Sequence, residues 1–266
     1  MLHTGKVLLF TYNESDRKRG DSAVLDPITG EETREPLDKD LFCGGQSFLS
    51  DGCLLVAGGH GEKRPENFRA LYQFSPLGDG GKWTENSTPL SGPRWYPALT
   101  TLPDGRVLII SGTTKGPYDR DRSPVNSTYE IFDPVTGLQP PILAPIIQEA
   151  VPNSIYAFVF VLPSGHLFIH ANNRTRFIHA SNLATGDFEN MLLFAKRPTS
   201  RSYPLEGSSV LLPLLPTSNL NRLRQKNQNS SRLEKETVLK ITATTTTTRL
   251  YLESRNSLPA SYNPSE

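Results

Sequence analysis

The chain has 266 residues, with 28 Lys and Arg set against 27 Asp and Glu for a formal net charge of +1. That balance excludes the strong positive field on which nucleic-acid and anionic-membrane binding depend, and no apolar run is long enough to cross a bilayer as a helix. Two cysteines, Cys43 and Cys53, are too few for a disulfide framework and leave the compartment open.

The first element is announced by His3-Thr4-Gly5-Lys6 followed by the apolar run Val7-Leu8-Leu9-Phe10. The same phrase returns as Ser50-Asp51-Gly52 before Leu54-Leu55-Val56-Ala57, as Pro103-Asp104-Gly105 before Val107-Leu108-Ile109-Ile110, and as Pro163-Ser164-Gly165 before Leu167-Phe168-Ile169-His170. Copies recur every 50–60 residues or so, roughly the period of propeller blades. Asp-Gly or Ser-Gly between two apolar stretches signals a tight hairpin. Within each unit a further strand follows: Ala23-Val24-Leu25, Leu71-Tyr72-Gln73-Phe74, Thr128-Tyr129-Glu130-Ile131-Phe132 and Thr175-Arg176-Phe177-Ile178. Pro27, Pro76 and Pro134 stop three of these strands.

The reading is all-β: an incomplete β-propeller of four-stranded kelch-like blades over residues 1–216, about four and a half of them. A fifth unit starts at Arg201-Ser202-Tyr203-Pro204, runs through Ser208 to Pro216, and is not completed. Residues 217–266 turn to Asn, Gln, Arg, Ser and Thr and are expected to form a low-complexity, mostly disordered or frameshifted tail. Leu239–Thr242 and Arg249–Leu252 are the stretches there with strand character. The opening Met1-Leu2-His3-Thr4-Gly5 reads as a blade turn rather than a signal peptide, while Asn-x-Ser/Thr sequons at Asn13, Asn86, Asn126, Asn173 and Asn229 are compatible with secretion.

Two residues stand out for chemistry. Cys43, in Asp40-Leu41-Phe42-Cys43-Gly44-Gly45, and Tyr96, in Arg94-Trp95-Tyr96-Pro97, each open the first strand of a blade just ahead of its glycine turn. First strands of a propeller line its centre, so neighbouring blades bring this thiol and phenol together, where a bound copper ion could oxidise them to a thioether. A lone cysteine also serves as a small apolar packing residue, and that alternative stays open. Trp95 is expected either to stack over the site or to pack between blades, and His60, in Gly58-Gly59-His60-Gly61, to face solvent. His166 and His170 share a strand face and form a second candidate metal pair. Cys53 reads as an incidental strand thiol, and Asp119 to Arg122 as a solvated mixed-charge loop.

The Phe42-Cys43 context with Phe48-Leu49-Ser50-Asp51-Gly52 and Leu55-Val56-Ala57-Gly58-Gly59, the segment Arg94-Trp95-Tyr96-Pro97 with Leu102-Pro103-Asp104-Gly105-Arg106-Val107-Leu108, and Arg201-Ser202-Tyr203-Pro204 together resemble the glyoxal oxidase and galactose oxidase copper-radical family. The resemblance implies a seven-bladed propeller followed by a β-sandwich, in an extracellular enzyme that oxidises small aldehydes or primary alcohols with oxygen and releases hydrogen peroxide. It implies Cys43 and Tyr96 as the thioether pair, with Tyr96 as copper ligand and radical site. The family's second tyrosine and its following histidine have no counterpart, since no Tyr-His dipeptide occurs here. The expectation is therefore a truncated relative lacking activity as this chain. The second expectation is a non-catalytic kelch-like fragment that acts as a binding module.

Overall fold

The computed structural model describes residues 1–184 and 186 apart from 17, 79–80 and 116–123, together with the strand segments 192–193, 208–211, 236–243 and 246–253. The repeated turn is the local device from which everything else is built. Each turn glycine (Gly5, Gly52, Gly105, Gly165) has φ between 83° and 86°, a left-handed conformation that side chains disfavour. Each donates its N–H three residues back, to Leu2, Leu49, Leu102 or Leu162, at 2.9–3.0 Å. Those leucines in turn donate to Lys6, Cys53, Arg106 and His166 at 2.7–2.8 Å. One local rule thus makes the same turn four times, and at Gly52, Gly105 and Gly165 it closes a hairpin.

From these hairpins grow antiparallel sheets. The first holds β1 (Val7–Tyr12), β2 (Gly20–Leu25) and β3 (Glu32–Leu37). The second runs in order through β4 (Gly45–Phe48), β5 (Leu54–Ala57), β6 (Leu71–Ser75) and β7 (Lys82–Glu85). The third has β8 (Ala98–Thr101), β9 (Val107–Ile110), β10 (Thr128–Asp133) and β11 (Gly137–Leu138), with β12 (Ile142–Leu143) also paired to β10. After the one-turn helix α1 (Pro145–Glu149), the fourth comprises β13 (Phe158–Val161), β14 (His166–Ala171), β15 (Arg174–His179) and β16 (Leu192–Leu193). A last sheet pairs β17 (Ser208–Leu211) with β18 (Glu236–Ala243) and β18 with β19 (Thr246–Glu253). The fold is all-β. The last two strands take in Leu239–Thr242 and Arg249–Leu252, where strand character was expected; the rest of 217–266, and Arg201-Ser202-Tyr203-Pro204, lie outside the described residues.

The sheets pack face to face, which explains why β5 and β9 are apolar and buried at every position. Strands buried on both faces read as continuous hydrophobic runs. In β5, Val56 packs with Leu37, Leu41 and Trp83 toward the first sheet, while Leu55 and Ala57 meet Val107, Ile109 and Phe132 of the third. In β9, Leu108 and Ile110 turn the other way, against Leu167 and Ile169 of the fourth. Full burial of each such side chain is worth about 1.5–3 kcal/mol relative to exposure, so these interleaved layers hold neighbouring sheets in place.

The first strands of the second, third and fourth sheets lie beside one another. Ser47 and Thr101 hydroxyls are 2.7 Å apart across β4 and β8, and Thr101 donates to the Phe48 carbonyl at 2.5 Å. Thr100 donates to the Val159 carbonyl on β13 at 3.4 Å. Among the described residues, no helix is long and apolar enough to cross a membrane.

Candidate functional site

The segments that lead into β4, β8 and β13 meet at one end of this row of first strands. Tyr96 donates its backbone N–H to the Cys43 carbonyl at 3.0 Å, and Tyr156 donates its own to the Tyr96 carbonyl at 2.9 Å. A backbone relay therefore steps from sheet to sheet through three equivalent positions. All three residues hold left-handed φ, 58° at Cys43, 61° at Tyr96 and 45° at Tyr156. Non-glycine residues avoid that region, and where they persist in it the surroundings must over-determine them.

Those surroundings are visible for Tyr96. Its ring, 8% exposed, stacks on Trp95 at 4.7 Å between centroids and meets the edge of Tyr156 at 5.3 Å and 85°. Trp95 donates its indole N–H to the Phe42 carbonyl at 3.1 Å and pairs by backbone with Thr113. Arg94, fully buried, anchors the segment from behind. It donates through Nε and Nη2 to Glu130 at 3.0 and 2.9 Å, and to the carbonyls of Ser111 and Thr128 at 2.8 and 3.0 Å. Glu130, also fully buried, accepts in addition from the Ser91 N–H at 2.8 Å. Burial pushes the Arg94 guanidinium down from its usual range, and the Glu130 carboxylate opposes this. The backbone of Gly58, at φ 71°, lies so close to the Arg94 carbonyl that no side chain fits between them.

Cys43 is partly buried and faces two phenols. Burial pushes its thiol up from the ordinary range, side-chain hydrogen bonds with Tyr96 and with Tyr156 draw it back, and the charge of Asp40 adds to the rise. Sequence reasoning brought Cys43 and Tyr96 together, and the structure places them so. It missed Tyr156. The signal was present: each of the three residues stands nine positions before its turn glycine, 43 to 52, 96 to 105 and 156 to 165.

His60 does not face solvent as expected. Its side chain is 13% exposed and gives Nδ1 to the fully buried Asp40 at 2.9 Å, with Glu62 3.4 Å from Nε2. Its ring stacks on Trp95 at 4.8 Å, so Trp95 carries both His60 and Tyr96. Asp40 also accepts from the Phe42 N–H at 3.0 Å. Its carboxyl is raised by burial, against the pull of the Phe42 N–H and then of His60. The His166–His170 pair is also corrected. His170 is buried, with Nδ1 3.1 Å from Thr175 Oγ1, whereas His166 is the cross-strand partner of His179, their rings 4.9 Å apart. Two imidazoles four residues apart on one strand are separated by about 13 Å of backbone, too far to chelate one ion. Cys53 packs at the margin of the core between the second and third sheets. Asp119 to Arg122 lie outside the described residues.

The donors around Tyr96 are thus a thiol, a second phenol and an indole. A mononuclear copper centre draws on imidazole nitrogen, and the described imidazole in this cluster, His60, is held by Asp40 and stacked on Trp95. Among the described residues no group of three or more His, Cys, Asp and Glu gathers to hold a metal. The described donors fit a thiol–phenol pairing but do not by themselves fit copper.

The family model for the glyoxal oxidase N-terminus matches residues 18–257. An aldehyde oxidase of the GLOX type from Vitis pseudoreticulata is 31% identical over 199 residues, 73% of this chain and 34% of that protein. Aldehyde oxidase GLOX1 of Arabidopsis thaliana is 25% identical over 194 residues, 73% of this chain and 29% of its own length. The chain therefore spans about a third of the curated relatives it matches. A solved fungal alcohol oxidase of the AA5 family, in complex with copper, shares the fold with a TM-score of 0.59 at 14% identity over 96% of this chain and 53% of that one.

Proposed function

This chain belongs to the glyoxal oxidase N-terminal family, and we propose that it contributes the thiol–phenol part of a copper-radical oxidase centre. In this reading the sheets are blades of a propeller, Tyr96 is the redox-active phenol and copper ligand, and Cys43 is its thioether partner. The reaction of the complete centre converts a primary alcohol and O2 to an aldehyde and H2O2, or an aldehyde, water and O2 to a carboxylic acid and H2O2. The family resemblance supports a site of action outside the cell. The observation that carries the reading is the meeting of Cys43 and Tyr96. They come from segments leading into separate sheets, are joined by a 3.0 Å backbone hydrogen bond, pack in one cluster, and the Tyr96 phenol draws the Cys43 thiol down against the effect of burial.

Among the described residues the imidazole beside Tyr96, His60, is held by Asp40 and stacked on Trp95. Copper held by one phenolate is poorly bound and poorly poised, because divalent copper favours a tetragonal set that includes imidazole. The isolated 266-residue chain, supplied with copper, is expected to release no peroxide from methylglyoxal or simple primary alcohols above a Tyr96→Phe control. A peroxidase-coupled assay reads this directly, and turnover that depends on Tyr96 would refute it.

A further inference from the structure

Three consecutive sheets present their central positions in one conformation, yet only two of those positions belong to the thiol–phenol pair. Tyr156 is the third. Its left-handed φ of 45°, its N–H bond to the Tyr96 carbonyl and its edge contact with the Tyr96 ring fix where its phenol can go. The fully buried neighbour Ile155 packs with Phe68, Trp95 and Tyr96, so the segment is anchored in the same cluster. Cys43 and Tyr156 both pack against that cluster, and the Tyr156 side chain is a hydrogen-bonding neighbour of the Cys43 thiol.

We infer that Tyr156 is a positioning residue: its hydroxyl holds the Cys43 sulfur in place against the Tyr96 ring, so that the thiol couples to Tyr96 in preference to other fates. This deepens the thiol–phenol reading and rests on it. A thiol on one rotatable bond has three staggered wells, and a hydrogen bond to a second, independently anchored phenol selects among them. In the coupling itself, the S–H bond of Cys43 and one C–H bond ortho to the Tyr96 hydroxyl break and an S–C bond forms. Two protons and two electrons leave, the electrons passing to an external one-electron oxidant, two equivalents per bond.

The test uses the full chain in a Cys53→Ser background, so that Cys43 is the only thiol. A ruthenium(III) polypyridyl complex, generated by light and persulfate, supplies the oxidant. Mass spectrometry follows the Cys43–Tyr96 linked peptide, two hydrogens lighter than its parts. Loss of one neutral hydrogen bond corresponds to about a two- to tenfold slower coupling in Tyr156→Phe, with thermal stability matched between the two proteins. Coupling at the parent rate would overturn the inference. Infrared spectroscopy of the S–H stretch gives a second readout that needs no coupling: Tyr156→Phe should displace the band, and a band that stays in place overturns the inference as well. If the parent protein forms no thioether at all, the thiol–phenol reading fails, while the S–H band still decides the part assigned to Tyr156.

Discussion

Replacing Glu130 by Ala should cost far more than any surface ion pair in this protein, because it strands a cation where water cannot reach it. Arg94 and Glu130 are both fully buried. Glu130 accepts two guanidinium hydrogen bonds and the Ser91 N–H, and after its removal Arg94 keeps only neutral acceptors, the Ser111 and Thr128 carbonyls and the Thr128 hydroxyl. Breaking a buried pair from one side typically costs about 3–5 kcal/mol, most of it the penalty of the uncompensated charge. Glu130→Gln keeps the shape and a neutral acceptor, so it should cost less, about 1.5–3 kcal/mol for the lost charged hydrogen bonds. The comparison is Arg34→Ala: its contact with Glu32 lies in the open, with side chains 83% and 50% exposed, and such pairs are worth less than about 1 kcal/mol. Urea unfolding followed by fluorescence of Trp83 and Trp95 measures all three, and Trp95, next to Arg94 in the chain, also reports whether the Tyr96 segment has moved. If Glu130→Ala cost no more than Arg34→Ala, the account of Arg94 as the anchor of the Tyr96 segment would be wrong.

Gly58 and Gly30 share nearly the same φ, 71° and 76°, but an added methyl at Gly30 meets open space and at Gly58 meets the Arg94 carbonyl. Gly30→Ala should therefore cost only the conformational strain, about 1–2 kcal/mol, and Gly58→Ala clearly more; equal losses in urea midpoint would remove the close approach from the explanation. The response to acid should carry two opposed contributions. Asp40 is raised by burial, so the folded state holds its proton more tightly than the unfolded chain; stability from this group falls as pH rises from the ordinary carboxylate value of 3.8 through its folded pKa. His60, Glu62 and the Cys43 thiol are the titratable neighbours, and Asp40→Asn should flatten that part of the profile. Asp26 and Asp133, lowered first by backbone N–H bonds within their turns, and Asp104, lowered first by Arg106, act in the other direction. Their contribution is present above 3.8 and is lost as pH falls below it. Urea midpoints across the acid range for the protein and for Asp40→Asn would decide the matter, and identical slopes for the two would refute the assignment to Asp40.

Much of the candidate site was legible because it follows from the hairpin repeat. Period-two geometry and a turn of fixed length put Cys43 and Tyr96 at the same register in consecutive sheets, and the same count reaches Tyr156 once it is applied a third time. The polar supports were not legible. Glu130 sits in Tyr129-Glu130-Ile131-Phe132, where alternation reveals only that it shares a face with Phe132 and cannot say that Arg94, 36 residues earlier, fills the space beside it. His60 follows two glycines in what reads as an open loop, and only the passage of Asp40 and Trp95 against it turns that loop inward. His166 and His170 looked like partners because strand periodicity shows which face a side chain takes, not which neighbour it meets across the ladder; pairing with β15 gave His166 to His179 and His170 to Thr175.

The amino-acid sequence by itself determined the hairpins, the apolar second strands and the register that puts a thiol and phenols at the strand starts, since all of these depend on contacts a few residues long. The packing of one sheet against the next decided what surrounds them: the buried Arg94–Glu130 anchor, the stack of His60 on Trp95 on Tyr96, and the second phenol at the Cys43 sulfur. These are encounters between residues far apart in the chain, set by the angle and spacing of whole sheets, and no local pattern encodes them.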